Sequence, residues 1–312
     1  MEGLMNRNLP AAMPTALKPG DRIAIVSPAS KIAPELIDHA VEMLGKEGYD
    51  PVVMPHAKGG CGSFSASAED RFADMKAALE DDSIRAIICS RGGYGCVHLL
   101  ENLDKLPSGC FRKWLVGFSD ITALHCLWMR KGVAGLHGAM AKYIGRGAGF
   151  GYYAREMGIL SGEDGEVLNY GFKGHAYNVP GICAGRVVGG NLAVLGGLVG
   201  TPFDPVGKGD ILFIEDIAEP IYKVERILWQ LKLRGVFDNI AGLMVGAFTD
   251  YRPSVDHADM ETMIDRFLGG YSFPRAYGIP SGHIENNCPL ILGAEATLAV
   301  GDSLAGLRYD WK

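Results

Sequence analysis

The sequence contains no long apolar run and no closely spaced cysteines. No window approaches the run of about 18 apolar residues that a membrane-spanning helix requires. The first residues, MEGLMNRNLPAAMPTALKPGD, lack the continuous hydrophobic core of a secretory signal, so we expect neither a signal nor a membrane anchor. The seven cysteines are scattered, without a CxxC pair. Since disulfide frameworks and zinc ribbons need tighter spacing, the pattern favours reduced thiols in a cytoplasmic protein.

Concentrated positive charge is also absent. The 312 residues include 30 Lys and Arg against 36 Asp and Glu, which gives a formal net charge of −6. Because no dense Lys/Arg stripe offsets that charge, a nucleic-acid backbone would be repelled on average. The eight histidines form no HxH or HExxH pair, so no metal site is predicted. A small molecule or a peptide is therefore the expected partner.

Short apolar strands alternate with helical patterns in the first half of the chain. The predicted strands are Arg22–Pro28, Pro51–Met54, Ile84–Cys89, Trp114–Phe118 and Val133–Leu136. The predicted helices are Pro34–Gly48, Ala68–Leu79 and Ile121–Lys131. This spacing predicts an α/β fold with a doubly wound parallel sheet. Ligands of such sheets bind beyond the carboxyl ends of the strands, which directs attention to the loops after Cys89 and Phe118.

A change of pattern near the middle of the chain predicts a domain boundary. Between Gly145 and Pro180, Gly, Tyr, Asn and isolated charges replace the regular alternation. We therefore predict an N-terminal α/β domain over residues 1–150, an irregular linker over 151–180 and a C-terminal α/β domain over 181–312. The predicted elements of the last domain are the strands Gly185–Val188, Asp210–Ile214, Ile240–Phe248 and Leu298–Val300 and the helices Tyr222–Leu233 and Met260–Leu268.

The segment Gly117-Phe118-Ser119-Asp120 joins an apolar strand directly to a helix. A serine in such a sharp turn is presented at the sheet edge beside backbone N–H groups, which suits a nucleophile next to an oxyanion hole. Ile121 stands where the second glycine of a full G-x-S-x-G elbow would be. Because capping serines far outnumber catalytic ones, the motif alone favours a helix cap.

A glycine loop, Arg91-Gly92-Gly93-Tyr94-Gly95, follows the third predicted strand. Its glycines would let backbone amides approach a phosphate or an oxyanion closely. Neither the G-x-G-x-x-G spacing nor a Walker lysine is present, which counts against a dinucleotide site. A flexible turn without a ligand is an equally good interpretation.

Two polar residues in the second half could form a catalytic pair. Glu215 ends an apolar strand, and a buried carboxylate is costly without a partner. His283, after Pro280, could be that partner, as acid and imidazole pair in a triad. Alternatively, Glu215 forms a salt bridge with Arg226 and the histidine is structural.

Six segments together resemble one known family. They are GDRIAIVSPAS, RGGYG, GFSDITALH, GGNLAVLGGLVGTP, ILFIEDIAEPIYKVERIL and GIPSGHIENNCPLILGAEATL. In this order, from about Pro19 to Val300, they resemble the LD-carboxypeptidases, bacterial serine peptidases that trim cell-wall peptides and include the microcin C immunity peptidases. The resemblance implies a flavodoxin-like N-terminal domain, a smaller C-terminal α/β domain and a homodimer.

The resemblance also implies roles for individual residues. Ser119 would be the nucleophile, His283 the base and Glu215 the acid that orients it. The oxyanion hole would use the backbone N–H groups of Gly93 and Asp120. The implied reaction removes the terminal D-alanine of a murein tetrapeptide during cytoplasmic cell-wall recycling and needs no metal or organic cofactor.

The terminal carboxylate of such a peptide needs a cationic partner. Arg91 is a candidate by its position alone.

Rival functions stay open at this point. A microcin-immunity peptidase would cleave aminoacyl-adenylate-like amides with the same residues, and Tyr170 and Phe172 could then form an aromatic platform for adenine. A thiol enzyme could use Cys89 or Cys96, which lie near the glycine loop. A non-catalytic binding protein or a nucleotide-dependent oxidoreductase would leave Ser119 without a catalytic role.

Overall fold

The computed structural model describes residues 10–146, 152–163, 165 and 167–310. The described residues divide into two compact units. The N-terminal unit comprises Ala12–Gly165 and Glu285–Ile291, and the C-terminal unit comprises the remaining described residues. Within these residues no helix is both long and apolar enough to cross a bilayer. Residues 1–9 of the N-terminal segment and residues 147–151 of the predicted boundary lie outside the described residues.

The N-terminal unit alternates strands and helices along the chain. Its elements are β1 (Arg22–Val26), α1 (Pro34–Lys46), β2 (Asp50–Val53), α2 (Ala68–Glu80), β3 (Ile84–Cys89), α3 (Leu100–Asp104), β4 (Trp114–Val116), α4 (Thr122–Arg130), β5 (Gly135–His137), α5 (Ala141–Ile144) and α6 (Tyr153–Ser161). The five strands lie in the order β2-β1-β3-β4-β5, and every pair of neighbours is parallel. This is the flavodoxin-like order, so the predicted doubly wound sheet is confirmed.

The apolar runs of β1 and β3 explain why they occupy the centre of this sheet. Four of the five residues of β1 and five of the six of β3 are buried. Strands covered by helices on both faces need such continuous apolar sequence. The strand order reverses between β1 and β3, and loops beyond the carboxyl ends at this point form the usual ligand site of the fold. The glycine loop after β3 lies there.

The C-terminal unit contains a seven-stranded mixed sheet. The elements from residue 167 onward are β6 (Val167–Lys173), β7 (Gly181–Asn191), α7 (Leu192–Leu198), β8 (Ile211–Ile217), α8 (Ile221–Leu233), β9 (Gly242–Thr249), α9 (Met260–Phe267), β10 (Arg275–Ala276), β11 (Leu290–Leu292), β12 (Glu295–Val300) and β13 (Leu304–Asp310). The sheet order is β10-β9-β8-β7-β12-β13-β6, while β11 lies beside β5 in the other sheet. Strands β7 to β10 pair in parallel, and β7, β12, β13 and β6 pair antiparallel.

The predicted linker over 151–180 differs from the structure. Helix α6 and strand β6 lie inside that range, and the two units meet in sequence between Gly165 and Glu166. The sequence of β6, VLNYGFK, alternates buried and exposed residues with the two-residue period of a strand, but its Asn and Gly are typical of a loop and obscure that signal. Pairing with β13, which is distant in sequence, makes it a strand. The seven residues 285–291 also return to the N-terminal unit.

Candidate active site

Ser119 lies in a strained turn at the carboxyl end of β4. Its backbone φ is +66°, in the left-handed region that non-glycine residues rarely occupy. Such a conformation costs on the order of 1–3 kcal/mol and persists only where surrounding contacts enforce it. The short turn that begins at Ser119 has Phe118 as its cap residue, α4 has Ile121, and neither uses a side-chain capping bond. Ser119 is therefore a half-buried turn residue and not a helix cap.

The glycine loop packs directly against this serine. A Cβ at Gly92 would lie 2.8 Å from the Cβ of Ser119, 3.0 Å from its Oγ and 3.2 Å from the backbone N of Asp120. Such contacts are shorter than real Cβ atoms allow, so only glycine fits at position 92. The next residue, Gly93, is exposed. The glycine loop therefore lies directly against the serine side chain.

Polar contacts hold the loop and the serine turn together. The carboxylate of Asp120 is buried and accepts the backbone N–H of Cys96 at 2.9 Å. The hydroxyl of Ser30, from the loop after β1, accepts the N–H of Tyr94 at 3.3 Å. The two predicted oxyanion donors, Gly93 and Asp120, therefore belong to segments that are tied to each other.

Arg91 belongs to a cationic cluster at the same end of the sheet. Its Nη1 donates to the carbonyl of Lys31 at 3.1 Å. The backbone N–H of Lys142 donates to the carbonyl of Ser90 at 2.9 Å. Partial burial lowers the pKa of Lys142, and the nearby charges of Arg91 and Arg146 lower it further. No sequence motif includes Lys142, because the topology of the sheet places it next to the glycine loop.

Cys89 and Cys96 are unsuited to nucleophilic chemistry. Both are fully buried. Burial, with a smaller contribution from the charge of Asp120, raises the pKa of both thiols well above the usual range. The nucleophile of a thiol enzyme is a thiolate, so these two residues do not support that alternative.

The C-terminal unit brings Glu215 and His283 together. Glu215, in β8, has no exposed side-chain surface, and its Oε2 lies 2.8 Å from Nδ1 of His283, whose side chain is 11% exposed. A Cβ at Gly282 would lie 2.8 Å from the same Oε2. The backbone at position 282 can therefore lie this close to the Glu215 carboxylate only because the residue is glycine. Arg226 lies over the ring of Tyr222 instead, at 5.5 Å from its centroid. The predicted acid–imidazole pair is therefore present, and the alternative salt bridge is not observed.

An irregularity in the sheet positions the histidine loop. The β8–β9 register shifts between Ile214 and Asp216, beside Glu215. Near this shift, the backbone N–H of Ala247 in β9 donates to the carbonyl of Ser281, in the loop that carries His283, at 2.9 Å. His283 follows two residues later.

Asp216 is a neighbouring polar residue without a motif in the sequence. Its carboxylate accepts bonds from the side chain of Asn191 at 2.9 Å and from the backbone N–H of Ala193 at 2.8 Å. Burial, with a further contribution from the charge of Glu215, raises the pKa of Asp216 to about 6. It ties β8 to the start of α7.

Each unit thus holds one part of the predicted site. Ser119, Gly93, Asp120 and Arg91 lie in the N-terminal unit, and Glu215 and His283 in the C-terminal unit. In the residues that the structure describes, no group of three or more His, Cys, Asp or Glu side chains could hold a metal ion.

Family models match both halves of the chain. The model for the LD-carboxypeptidase N-terminal domain matches residues 23–138, and the one for the LD-carboxypeptidase C-terminal domain matches residues 184–298. The murein tetrapeptide carboxypeptidase of Pseudomonas aeruginosa is 31% identical over 306 residues, which cover 93% of this chain and 95% of that protein.

Solved structures share the fold. The muramoyltetrapeptide carboxypeptidase from Oxalobacter formigenes superposes with a TM-score of 0.83 at 26% identity, over 93% of this chain and 99% of that one. The microcin C7 self-immunity protein, solved in complex with aspartyl sulfamoyl adenosine, superposes with a TM-score of 0.83 at 22% identity, over 97% of this chain and 98% of that one. With both family models matched and a relative of this similarity along nearly its whole length, the chain belongs to the LD-carboxypeptidase family of serine peptidases.

Proposed function

We propose that this peptidase removes the terminal D-alanine from murein tetrapeptide, with Ser119 as nucleophile, His283 as general base and Glu215 as its orienting acid. The backbone of Ser119 carries the proposal. A left-handed serine packed against Gly92 has a conformational cost that a capping serine does not have, and strain of this kind clusters at active sites. The buried Glu215–His283 pair supplies the matching base.

The proposed chemistry is acyl transfer. Nδ1 of His283 faces Glu215, and Nε2 takes the proton of the Ser119 hydroxyl as its oxygen attacks the scissile carbonyl. Glu215 stabilises the imidazolium, and the backbone N–H groups of Gly93 and Asp120 stabilise the oxyanion. The C–N bond then breaks, and D-alanine leaves with the proton from His283. Water, deprotonated by His283, releases the acyl group and restores the Ser119 hydroxyl.

The cationic cluster supports a substrate with a free terminal carboxylate. The guanidinium of Arg91 and the ammonium of Lys142 lie close enough for the charge of Arg91 to lower the pKa of Lys142. Cations in this arrangement repel each other and favour an anion between them. The name of the Pseudomonas aeruginosa relative points to the same class of substrate.

Mass spectrometry of three peptides tests this proposal. The purified protein is incubated with murein tetrapeptide, with its all-L counterpart and with the C-terminally amidated form. Loss of one alanine is expected from the first peptide alone. An amide would leave the cationic partners of the terminal carboxylate without an anion. An L-residue would exchange the positions of its side chain and its carboxylate. Equal cleavage of all three peptides would contradict the proposed specificity.

An activity like that of the microcin-immunity proteins is the second candidate. The structural neighbour with bound aspartyl sulfamoyl adenosine favours it at the level of fold. The proposed adenine platform does not: Tyr170 is 9% exposed, Phe172 is 4% exposed, and their rings stack on each other at 5.8 Å. Hydrolysis of aminoacyl sulfamoyl adenosine without any release of D-alanine would favour this candidate.

We further propose that the protein acts in the cytoplasm as a homodimer and serves cell-wall recycling. The family resemblance supports this proposal. Sedimentation of the purified protein at the mass of a monomer would contradict the dimer.

A further inference from the structure

Arg71 of α2 is a buried cation outside every motif of the sequence. It is 2% exposed, and within the described part of the chain no carboxylate lies within ion-pair distance of its guanidinium. Burying a charge is costly unless hydrogen bonds compensate it. Its Nη1 donates to the carbonyls of Pro28 at 2.6 Å and Gly95 at 3.0 Å, and its Nε to the carbonyl of Ala66 at 3.3 Å.

These three carbonyls belong to three separate loops. Pro28 follows β1, Ala66 precedes α2, and Gly95 closes the glycine loop after β3. A single planar guanidinium therefore joins the glycine loop to the rest of the carboxyl edge of the sheet. Lysine cannot replace it fully, because the compact ammonium group lacks the widely spaced N–H donors of a planar guanidinium.

A side-chain relay leads from the same guanidinium to Tyr94. Nη2 of Arg71 lies 3.2 Å from Nδ1 of His98, and Nε2 of His98 lies 3.2 Å from Oη of Tyr94. Because a guanidinium only donates, Nδ1 accepts, Nε2 carries the proton and Tyr94 Oη accepts it. The Tyr94 hydroxyl, on a side chain that is 56% exposed, is then left to donate outward. The ring of Phe64 lies under the guanidinium at 4.8 Å.

We propose that Arg71 is the positioning residue of the glycine loop, fixing the backbone beside Gly93 and the hydroxyl of Tyr94 as a donor to an acceptor group of the substrate. This inference rests on the proposed serine-peptidase function. Arg71 is not a catalytic residue, since it acts through Gly95, His98 and Tyr94. Displacing a donor of an oxyanion hole costs mainly kcat, because the bond is strongest in the transition state.

Steady-state kinetics on murein tetrapeptide test the inference. Arg71→Gln and Arg71→Lys are expected to lower kcat by about 10–100-fold and to change KM by less than about 3-fold. Lys76→Gln, on the exposed side of the same helix, removes an equal charge and is expected to match the wild type. The inhibition constant of a peptidyl boronic acid, which forms a tetrahedral adduct, should rise in parallel with the loss of kcat, while the Kd of the product peptide stays unchanged. A purely structural role would not separate these two affinities.

Two outcomes separate the inference from the proposed function. A wild-type protein that releases no D-alanine would overturn the function itself, whereas an active wild type with undiminished kcat in folded Arg71 variants would overturn the inference. If thermal melts show that the Arg71 variants do not fold, a variant of the exposed His98 tests the inference instead. His98→Ala, which cuts the relay at the surface, is expected to lower kcat about 3–10-fold, and wild-type kcat in that variant would overturn the inference.

Discussion

Ser119 is held by its backbone, whereas His283 is held by its side chain. The serine has a left-handed φ of +66°, and Gly92 packs against it. The histidine has a 2.8 Å hydrogen bond to the fully buried carboxylate of Glu215. The serine region should therefore be sensitive to small changes of volume, and the histidine region to changes of charge.

Removal of the serine hydroxyl should have the largest effect on activity. We expect Ser119→Ala to lower kcat by at least ~10⁴-fold, because no neighbouring group can replace the attacking oxygen. Thermal unfolding should stay near that of the wild type, since the hydroxyl has no capping role. Substantial turnover of tetrapeptide by the purified variant would remove Ser119 from the mechanism.

Neutralising the buried acid tests the histidine region. Glu215→Gln keeps the volume but loses the charge that orients and stabilises the imidazolium, and the analogous change in other triads costs up to ~10⁴-fold. We expect kcat to fall far more than KM rises. Glu295→Gln, an exposed residue of the same unit, is the matched control. A loss confined to KM would make Glu215 a substrate-binding residue.

A single methyl group tests the serine region. Gly92→Ala would place its Cβ within 3.0 Å of the serine side chain and should lower kcat by ~10²-fold through misplacement. Gly109→Ala adds the same methyl group where no heavy atom lies within 4 Å, so its kinetics should not change. Equal kinetics of the two variants would show that the Gly92 contact is unimportant.

A buried carboxylate of the N-terminal unit lacks the imidazole partner that Glu215 has. Glu156 is 2% exposed, accepts the N–H of Ala139, and its Oε1 has no hydrogen-bond partner among the described residues. Burial raises the pKa of Glu156 to about 8 from an ordinary 4.5. The native state thus holds this proton more tightly than the unfolded chain, and stability is lost as the pH rises from about 4.5 through about 8.

Glu156→Gln should remove this loss. Between pH 5 and pH 8, the wild type should lose about 2–4 kcal/mol of unfolding free energy at this site, and the amide variant should not. Urea unfolding at the two pH values measures the difference, with the exposed Glu80→Gln as control. Parallel losses in the wild type and Glu156→Gln would show that Glu156 is ionised in the folded protein.

The sequence predicts the regular strands and helices of both units because local patterns of apolar residues indicate which of their residues are buried. Strands β1, β3 and β4 are apolar runs, and α8 has a periodic apolar face. Strands β6 and β13 escape prediction because their alternation includes glycine and charge. The two pair with each other although they are distant in sequence, and β13 also pairs with the neighbouring β12.

The sequence predicts some residues of the candidate site but not the contacts that position them. Ser119 stands out by its turn, but its strain follows from packing against Gly92 and from the Asp120–Cys96 bond, which no local pattern encodes. Glu215 and His283 are 68 residues apart, so residue chemistry makes them one possible pair and the family resemblance selects that pair. Arg71 belongs to no motif, because its partners are backbone carbonyls of three loops.

We propose that Ser119 of the N-terminal unit and His283 of the C-terminal unit serve one reaction. The most direct test compares kcat of Ser119→Ala, His283→Ala and the double variant on murein tetrapeptide. The effects of substituting residues that act as a unit are strongly non-additive, so we expect the double variant to be no slower than the slower single variant. Losses that multiply in the double variant would contradict it, because they would mean that the two residues contribute independently.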